Sequence, residues 1–174
     1  IVIDPRYSET AAQADLWLPV RPGSDVALAL AWLNVIIWEG LYDQTFIEDC
    51  CTGFEELAEH VREYTPEWAA PLTWLDAELI RKGARIYATC KPGNIQWGTA
   101  IDQSGRTAGA GIHARALLRA VTATAVVAGR AVTLRPSDFD LVKLPGDSAV
   151  GSLILLDAMV ADLDGDGKAE VFAT

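Results

Sequence analysis

The chain has 174 residues, 51% of them hydrophobic and 22% charged, which is enough apolar material for one globular domain with a buried core. Its formal net charge of -10 argues against a nucleic-acid partner, because binding a phosphate backbone needs a basic surface. The most apolar run, residues 26–38, is too short to cross a bilayer, so no direct membrane insertion is expected.

The first predicted elements are two short strands. Residues 1–3 form a β-branched apolar run closed by Asp4 and Pro5, which is typical of a strand end buried in a parallel sheet. A second apolar stretch, residues 16–20, ends before a Pro-Gly turn. The chain starts with isoleucine rather than an initiator methionine, so we expect a fragment or a processed product. Its location, cytoplasmic or periplasmic, stays open.

A long helix is predicted over residues 26–39. Ser24 and Asp25 precede it and are residue types that cap helix starts. Gly40 is placed to end it. Because this helix is apolar nearly all round, we expect it to be buried inside a larger body.

Further helices follow along the chain. Asp43 can cap a short helix that runs to about Cys51, and apolar spacing predicts an amphipathic helix over residues 54–64. Thr65-Pro66 is expected to end that helix, since the residue before proline avoids helical backbone angles. Asp76 caps another helix.

The next segment combines a short strand with a glycine-rich loop. Residues 94–98 predict the strand, residues 104–111 the loop, and residues 112–121 a helix. Short strands alternating with helices predict an α/β layer architecture.

The character of the sequence changes after residue 122. Residues 126–127, 132–134 and 153–160 are apolar and predict short strands. A single-nucleotide frameshift would also explain the change, and the tail would then be non-native sequence. We therefore expect a body over residues 1–122 and a separate β-rich tail over residues 123–174.

The tail contains an acidic loop, residues 162–170, that could surround a calcium ion. Carboxylates at alternating positions are the ligands that calcium prefers, and the Lys168 carbonyl can add another. The carboxylates are those of Asp162, Asp164, Asp166 and Glu170. The twelfth loop position is Ala173, so this is not an EF-hand, but the spacing resembles the calcium loop of FG-GAP propeller repeats. The alternative is a solvated acidic turn.

Two carboxylates in the body are candidates for holding a nucleotide. Asp4 follows a predicted parallel strand, where a carboxylate can accept both ribose hydroxyls. The alternative for Asp4 is a local turn. Asp25 could accept from both the ring N–H and the exocyclic amine of guanine, whereas its alternative is simple helix capping.

Several ordered sequence blocks together resemble the molybdopterin oxidoreductases of the dimethyl-sulfoxide-reductase type. The resemblance covers about residues 1–122, and acetylene-hydratase-like and thiosulfate- or polysulfide-reductase-like members share it most fully. The blocks include Ile3-Asp4-Pro5-Arg6, Trp17-Leu18-Pro19, Arg21-Pro22-Gly23-Ser24-Asp25, Glu39-Gly40-Leu41-Tyr42-Asp43, Tyr64-Thr65-Pro66-Glu67-Trp68, Gln96-Trp97-Gly98 and Arg115-Ala116-Leu117. This resemblance implies a Rossmann-like α/β fragment of the enzyme's middle domain.

The resemblance also implies a cofactor, molybdopterin guanine dinucleotide (bis-MGD) with molybdenum or tungsten. Asp4 would contact the ribose of one guanosine, and Arg6 would lie near a phosphate. Ser24 and Asp25 would hold a guanine. The partners it implies are the rest of the oxidoreductase chain and an iron–sulfur electron-transfer subunit.

Other residues would face the pterin part of that cofactor. Gln96, Trp97 and Gly98 would stand at a strand end, and His113 could donate to cofactor or substrate. The alternative for His113 is a capping or packed histidine. No cysteine falls in a ligand motif, so no ligand to the catalytic metal is assigned. Because redox or hydratase chemistry belongs to the cofactor, this fragment is not expected to be active alone. The rival interpretation is a non-catalytic, calcium-stabilised binding module defined by the tail.

Overall fold

The computed structural model describes residues 1–96, 108–127, 130–133, 158–161 and 170–173. This part of the chain is mostly helical. Its helices are α1 (Glu9–Ala12), α2 (Asp25–Trp38), α3 (Gln44–Cys50), α4 (Phe54–His60), a 3-10 turn (Val61–Glu63), α5 (Pro66–Thr73), α6 (Ala77–Thr89) and α7 (Ala108–Val121). Its strands are β1 (Val2–Ile3), β2 (Trp17–Leu18), β3 (Thr124–Val127), β4 (Arg130–Thr133), β5 (Ala158–Ala161) and β6 (Glu170–Ala173).

The amino-terminal strands form a small parallel sheet. Val2 lies opposite Trp17 and Ile3 opposite Leu18, and the backbone N–H of Asp4 donates to the Leu18 carbonyl over 3.2 Å. The prediction of a parallel strand at residues 1–3 is confirmed. The two described strand pairs of the tail, β3 with β4 and β5 with β6, are antiparallel.

The prediction of a strand at residues 94–98 is wrong in the part that the structure describes. Residues 94–96 are not in a strand, and no described strand pairs with them. Residues 97–107 lie outside the described ranges. The described body is accordingly built around a helix rather than a broad sheet.

That central helix is α2. Nine of its residues are buried, and both Leu33 and Ile36 have no exposed surface. It contacts α5, α6 and α7, which surround it. The helix follows Gly23 and ends before Gly40, and both glycines adopt positive φ angles that favour glycine. The predicted buried helix is confirmed, with bounds one residue earlier than expected at each end.

Helices α3, α5 and α6 begin at side-chain caps. Asp43 accepts from the backbone N–H of Phe46 over 3.0 Å and Asp76 from that of Glu78 over 2.8 Å, as the sequence predicted. Thr65 accepts from the backbone N–H of Trp68 over 3.2 Å and starts α5, whose first residue is Pro66. Thr65-Pro66 was expected from the sequence only to end a helix, so α5 was not predicted. Proline is favoured at the first position of a helix, because the N–H of that residue has no partner within the helix and its absence costs nothing.

No helix in the described ranges is long and apolar enough to cross a membrane.

Candidate functional site

A cavity of about 340 Å³ lies between α2, α6, α7 and the segment that follows α6. Its volume and mainly apolar walls are typical of small-molecule sites, where a few polar groups orient the ligand. The walls include Ile1, Ile3, Asp25, Leu28, Ala29, Trp32, Ile86, Tyr87, Cys90, Gly93, Asn94, Ile95, Gln96, Arg115 and Leu118.

Two aromatic side chains make one wall of the cavity. The rings of Trp32 and Tyr87 stack at 5.7 Å between centroids, with 24° between their planes. The hydroxyl of Tyr87 lies 3.3 Å from the Thr122 hydroxyl, and burial raises the pKa of Tyr87. Because both rings are buried against neighbouring helices, this wall is preorganised.

Asp25 lines the same cavity. Asp25 is the first residue of α2, and neither it nor Ser24 caps the helix with its side chain. The Ser24 hydroxyl instead donates to the Arg21 carbonyl over 2.7 Å. Within the described part of the chain no hydrogen bond reaches the Asp25 carboxylate, which is 30% exposed. Its oxygens can therefore accept from a molecule in the cavity.

Arg115 is a polar residue of the cavity wall that the sequence interpretation did not single out as a site residue. It lies on α7 with only 8% of its side chain exposed, and its Nη2 is 3.9 Å from Oδ1 of Asp25. That separation is an ion pair but is too long for a hydrogen bond. The pair lowers the cost of burying a guanidinium while leaving the carboxylate's hydrogen-bonding positions open.

The remaining predicted residues of the amino terminus lie outside the cavity wall. Asp4 does not line it, and its Oδ1 accepts from the backbone N–H of Arg6 over 2.7 Å. This is the local turn that the sequence left as the alternative. Asp4 and Asp25 therefore do not share this cavity wall, and the contact of Asp4 with a ribose stays a prediction.

One of the predicted pterin-facing residues lines the cavity, and another does not. Gln96 lines the cavity, whereas His113 is exposed on α7 and is not part of the described wall. His113 is therefore not a packed histidine. Trp97 and Gly98 lie outside the described residues.

Most of the predicted calcium ligands lie outside the residues that the structure describes. Residues 162–169 lie outside the described ranges, while Glu170 begins β6. Among the described residues, no group of three or more histidine, cysteine or acidic side chains is placed to hold a metal ion. The calcium ligands remain a prediction.

Comparison with known proteins finds homologues that are molybdopterin oxidoreductases. Acetylene hydratase from Syntrophotalea acetylenica is 46% identical over 126 residues, which are 72% of this chain and 17% of that protein. The molybdopterin-containing subunit of thiosulfate reductase from Salmonella typhimurium is 45% identical over 53% of this chain and 12% of its own length. The solved acetylene hydratase from Pelobacter acetylenicus superimposes with a TM-score of 0.67 and 45% identity, over 69% of this chain and 16% of that one.

No protein-family model matches the chain. It spans less than a fifth of the length of these relatives.

Proposed function

We propose, since the homologues of this chain are molybdopterin oxidoreductases, that residues 1–122 hold the guanosine end of a molybdopterin guanine dinucleotide in such an enzyme. The metal would be molybdenum or tungsten, and the full enzyme an oxidoreductase or an acetylene-hydratase-like member. Redox or hydration chemistry is supplied by the bound cofactor and its metal. This chain's own residues bind and orient one end of it.

The proposal rests on the Asp25 carboxylate and its lack of a hydrogen-bond donor. Asp25 lines the cavity, and no described group of the chain donates to its carboxylate. Guanine carries a ring N–H beside an exocyclic amine, and a carboxylate can accept from both at once. The cavity's aromatic and aliphatic walls suit the faces of a purine. The residues present therefore fit a guanine.

Other residues would support the same end of the cofactor. Gln96 shares the cavity wall with Asp25 and offers an amide donor and acceptor. Ser24 precedes Asp25 and holds the turn through its bond to Arg21. The family resemblance is the support for the other assignments. These place Asp4 near the ribose and Arg6 near a phosphate, and they place Trp97, Gly98 and His113 toward the pterin.

The proposal also implies partners. The relatives include proteins named as subunits, such as the alpha subunit of an F420-dependent formate dehydrogenase from Methanocaldococcus jannaschii. We infer that residues 1–122 pack against further parts of an oxidoreductase and that an iron–sulfur subunit exchanges electrons with it.

Replacing Asp25 with asparagine is expected to weaken binding of GMP by tenfold or more. The loss of a hydrogen bond to a charged group costs about 1.5–3 kcal/mol, and each ~1.4 kcal/mol is a factor of ten in Kd. Asparagine keeps the size of the side chain but turns one acceptor into a donor. Isothermal titration of the 174-residue chain with GMP measures the change.

The matched control for this experiment is Asp49→Asn. Asp49 is an exposed carboxylate on α3 and is not part of the described cavity wall, so its replacement removes the same charge at a distance. The control should bind GMP as the parent chain does. Equal affinities for the parent and Asp25→Asn would refute the assignment of guanine to this carboxylate.

A second candidate function concerns the tail. β5 and β6 are antiparallel, with Ala161 opposite Glu170, so paired strands stand on either side of residues 162–169. A strand–loop–strand arrangement is what the calcium interpretation expects. We therefore keep calcium binding at the predicted loop as the alternative function, with the tail acting as a non-catalytic FG-GAP-like module.

Calcium is expected to bind this loop weakly, with a Kd nearer millimolar than nanomolar. A hairpin of two strands is poorly preorganised, although clustered carboxylates repel one another until a cation neutralises them. Calorimetric titration with CaCl₂ should give heats that the double variant Asp164→Ala, Asp166→Ala abolishes and that Asp49→Ala retains. Identical heats for the parent and the double variant would show only an acidic turn.

A further inference from the structure

We propose that an aromatic stripe along α5 is the surface on which another part of the same oxidoreductase packs, through an apolar patch edged by carboxylates. The inference rests on the proposed function, because it names one surface by which residues 1–122 join the rest of the enzyme. The stripe is made up of Arg21, Trp38, Arg62, Trp68, Leu72 and Trp74. None of these residues belongs to the described cavity wall, so the stripe is separate from the nucleotide site.

The first half of the stripe runs from the end of α2 onto α5, which packs along α2. Trp38 is the last residue of α2, and the Arg62 guanidinium lies 5.0 Å from the centre of its ring. Two residues after Arg62, the ring of Tyr64 meets that of Trp68 edge-on, with 4.8 Å between centroids. Leu72 follows Trp68 by four residues on α5, so the two side chains share a face of the helix.

Trp74 and Arg21 form the other end of the stripe. Trp74 follows the last turn of α5 with a φ of 63°, and 69% of it is exposed. The Arg21 guanidinium lies 5.4 Å from the centre of its ring, and the Arg21 backbone N–H donates to the Thr73 carbonyl over 2.9 Å. Positive φ is unusual for a bulky residue, and strain of this kind clusters at functional positions.

Exposed large hydrophobic side chains concentrate on the stripe. Among the described residues seven are exposed, of which Ile1 and Ile3 line the cavity and Tyr7 packs on the ring of Trp17. The other four all belong to the stripe. Grouped apolar exposure marks a contact with another protein, and tryptophan and arginine are the residue types that contribute most at such contacts.

The size and charge of the chain favour more of the oxidoreductase over a second copy as the occupant. The matched stretch is 17% of the Syntrophotalea acetylenica protein, so more than four fifths of such a chain is available to cover the stripe. Two copies would each carry a formal charge of -10 and repel one another.

The charges on the stripe itself are positive. They are the guanidinium groups of Arg21 and Arg62, and Arg62 also pairs with Glu59 over 3.3 Å. A guanidinium at the edge of an apolar contact is best matched by a carboxylate on the opposing surface. The surface that fits the stripe is therefore apolar at its centre and acidic at its edges.

The test measures whether the stripe is covered in an intact enzyme. A cysteine is placed at Leu72 of the 174-residue chain and at the aligned position of the Syntrophotalea acetylenica acetylene hydratase. Peptide mass spectrometry then follows its alkylation by a maleimide. We expect the chain to react about tenfold or more faster than the enzyme, because a covered thiol reacts only after local opening. In urea the two rates should be equal.

Equal rates in the two folded proteins would overturn the proposal. The solved acetylene hydratase supplies a second measurement that needs no variant. Its side chains aligned with Trp68, Leu72 and Trp74 should be covered by residues outside the matched stretch. A solvent-facing strip at those positions would overturn the proposal as well.

Sedimentation of the 174-residue chain tests the other occupant. We expect a monomer, whereas a dimer that Leu72→Glu dissociates would identify a second copy on the stripe and overturn the proposal. Leu72→Cys should bind GMP as the parent chain does, because Leu72 is outside the described cavity wall. A parent chain that does not bind GMP, with the stripe protected in the enzyme, would contradict the guanosine site and not the stripe.

Discussion

Replacing Leu33 with alanine is expected to lower the free energy of unfolding by about 2–5 kcal/mol. Leu33 has no exposed surface and lies in the middle of α2, the helix that α5, α6 and α7 enclose. Alanine leaves a cavity that three packed helices can close only in part, so the loss of transfer free energy is joined by a cavity cost. Urea denaturation followed by circular dichroism measures the change.

The control is the same substitution at an exposed leucine. Leu72 on α5 is 39% exposed, so Leu72→Ala removes side-chain carbons that are partly in water already. We expect a loss below about 1 kcal/mol there. Equal effects at the two positions would contradict the central placement of α2.

Replacing Gly83 with valine is expected to cost about 3 kcal/mol or more, because it overfills a packed interface. A Cβ built on Gly83 would lie 2.8 Å from Cζ2 of Trp32 and 3.3 Å from Cδ1 of Leu18. The Trp32 indole is buried and stacked on Tyr87, so it cannot swing away cheaply. Since Trp32 also lines the cavity, the same variant should weaken GMP binding.

Gly109 provides a matched control for Gly83. It also lies in a helix, and a Cβ placed on it would meet no atom of the described residues within 4 Å. The backbone effect of exchanging glycine for valine is then small, within about 0.5 kcal/mol. Thermal unfolding of the two variants should differ by several degrees. A Gly83→Val chain as stable as Gly109→Val would show that α6 and α2 do not pack this closely.

Part of the fold could be predicted from local sequence alone. The bounds of α2 followed from an apolar run between two glycine turns, and the starts of α3 and α6 from Asp43 and Asp76 as caps. These features depend on residues close in sequence, so no knowledge of tertiary packing was needed. The missed helix α5 has the same kind of start, but its Thr65-Pro66 dipeptide also ends helices.

The candidate site was predictable only in part, because it joins elements far apart in the chain. Asp25 was singled out from its place before an apolar helix, but only the structure shows that its carboxylate is not used as a cap. Arg115 offered one signal, a charged residue on an otherwise small and apolar stripe with Gly111 and Leu118. Its partner could not be known without the packing of α7 on α2.

We propose that the Asp25 carboxylate binds a guanine, and a crystal structure of the chain grown with GMP would test this claim. We expect the base in the cavity between α2, α6 and α7. The guanine N–H groups should lie about 3 Å from the Asp25 oxygens, the distance of a hydrogen bond. A base bound elsewhere, or seated in the cavity with that edge turned away from Asp25, would contradict the claim.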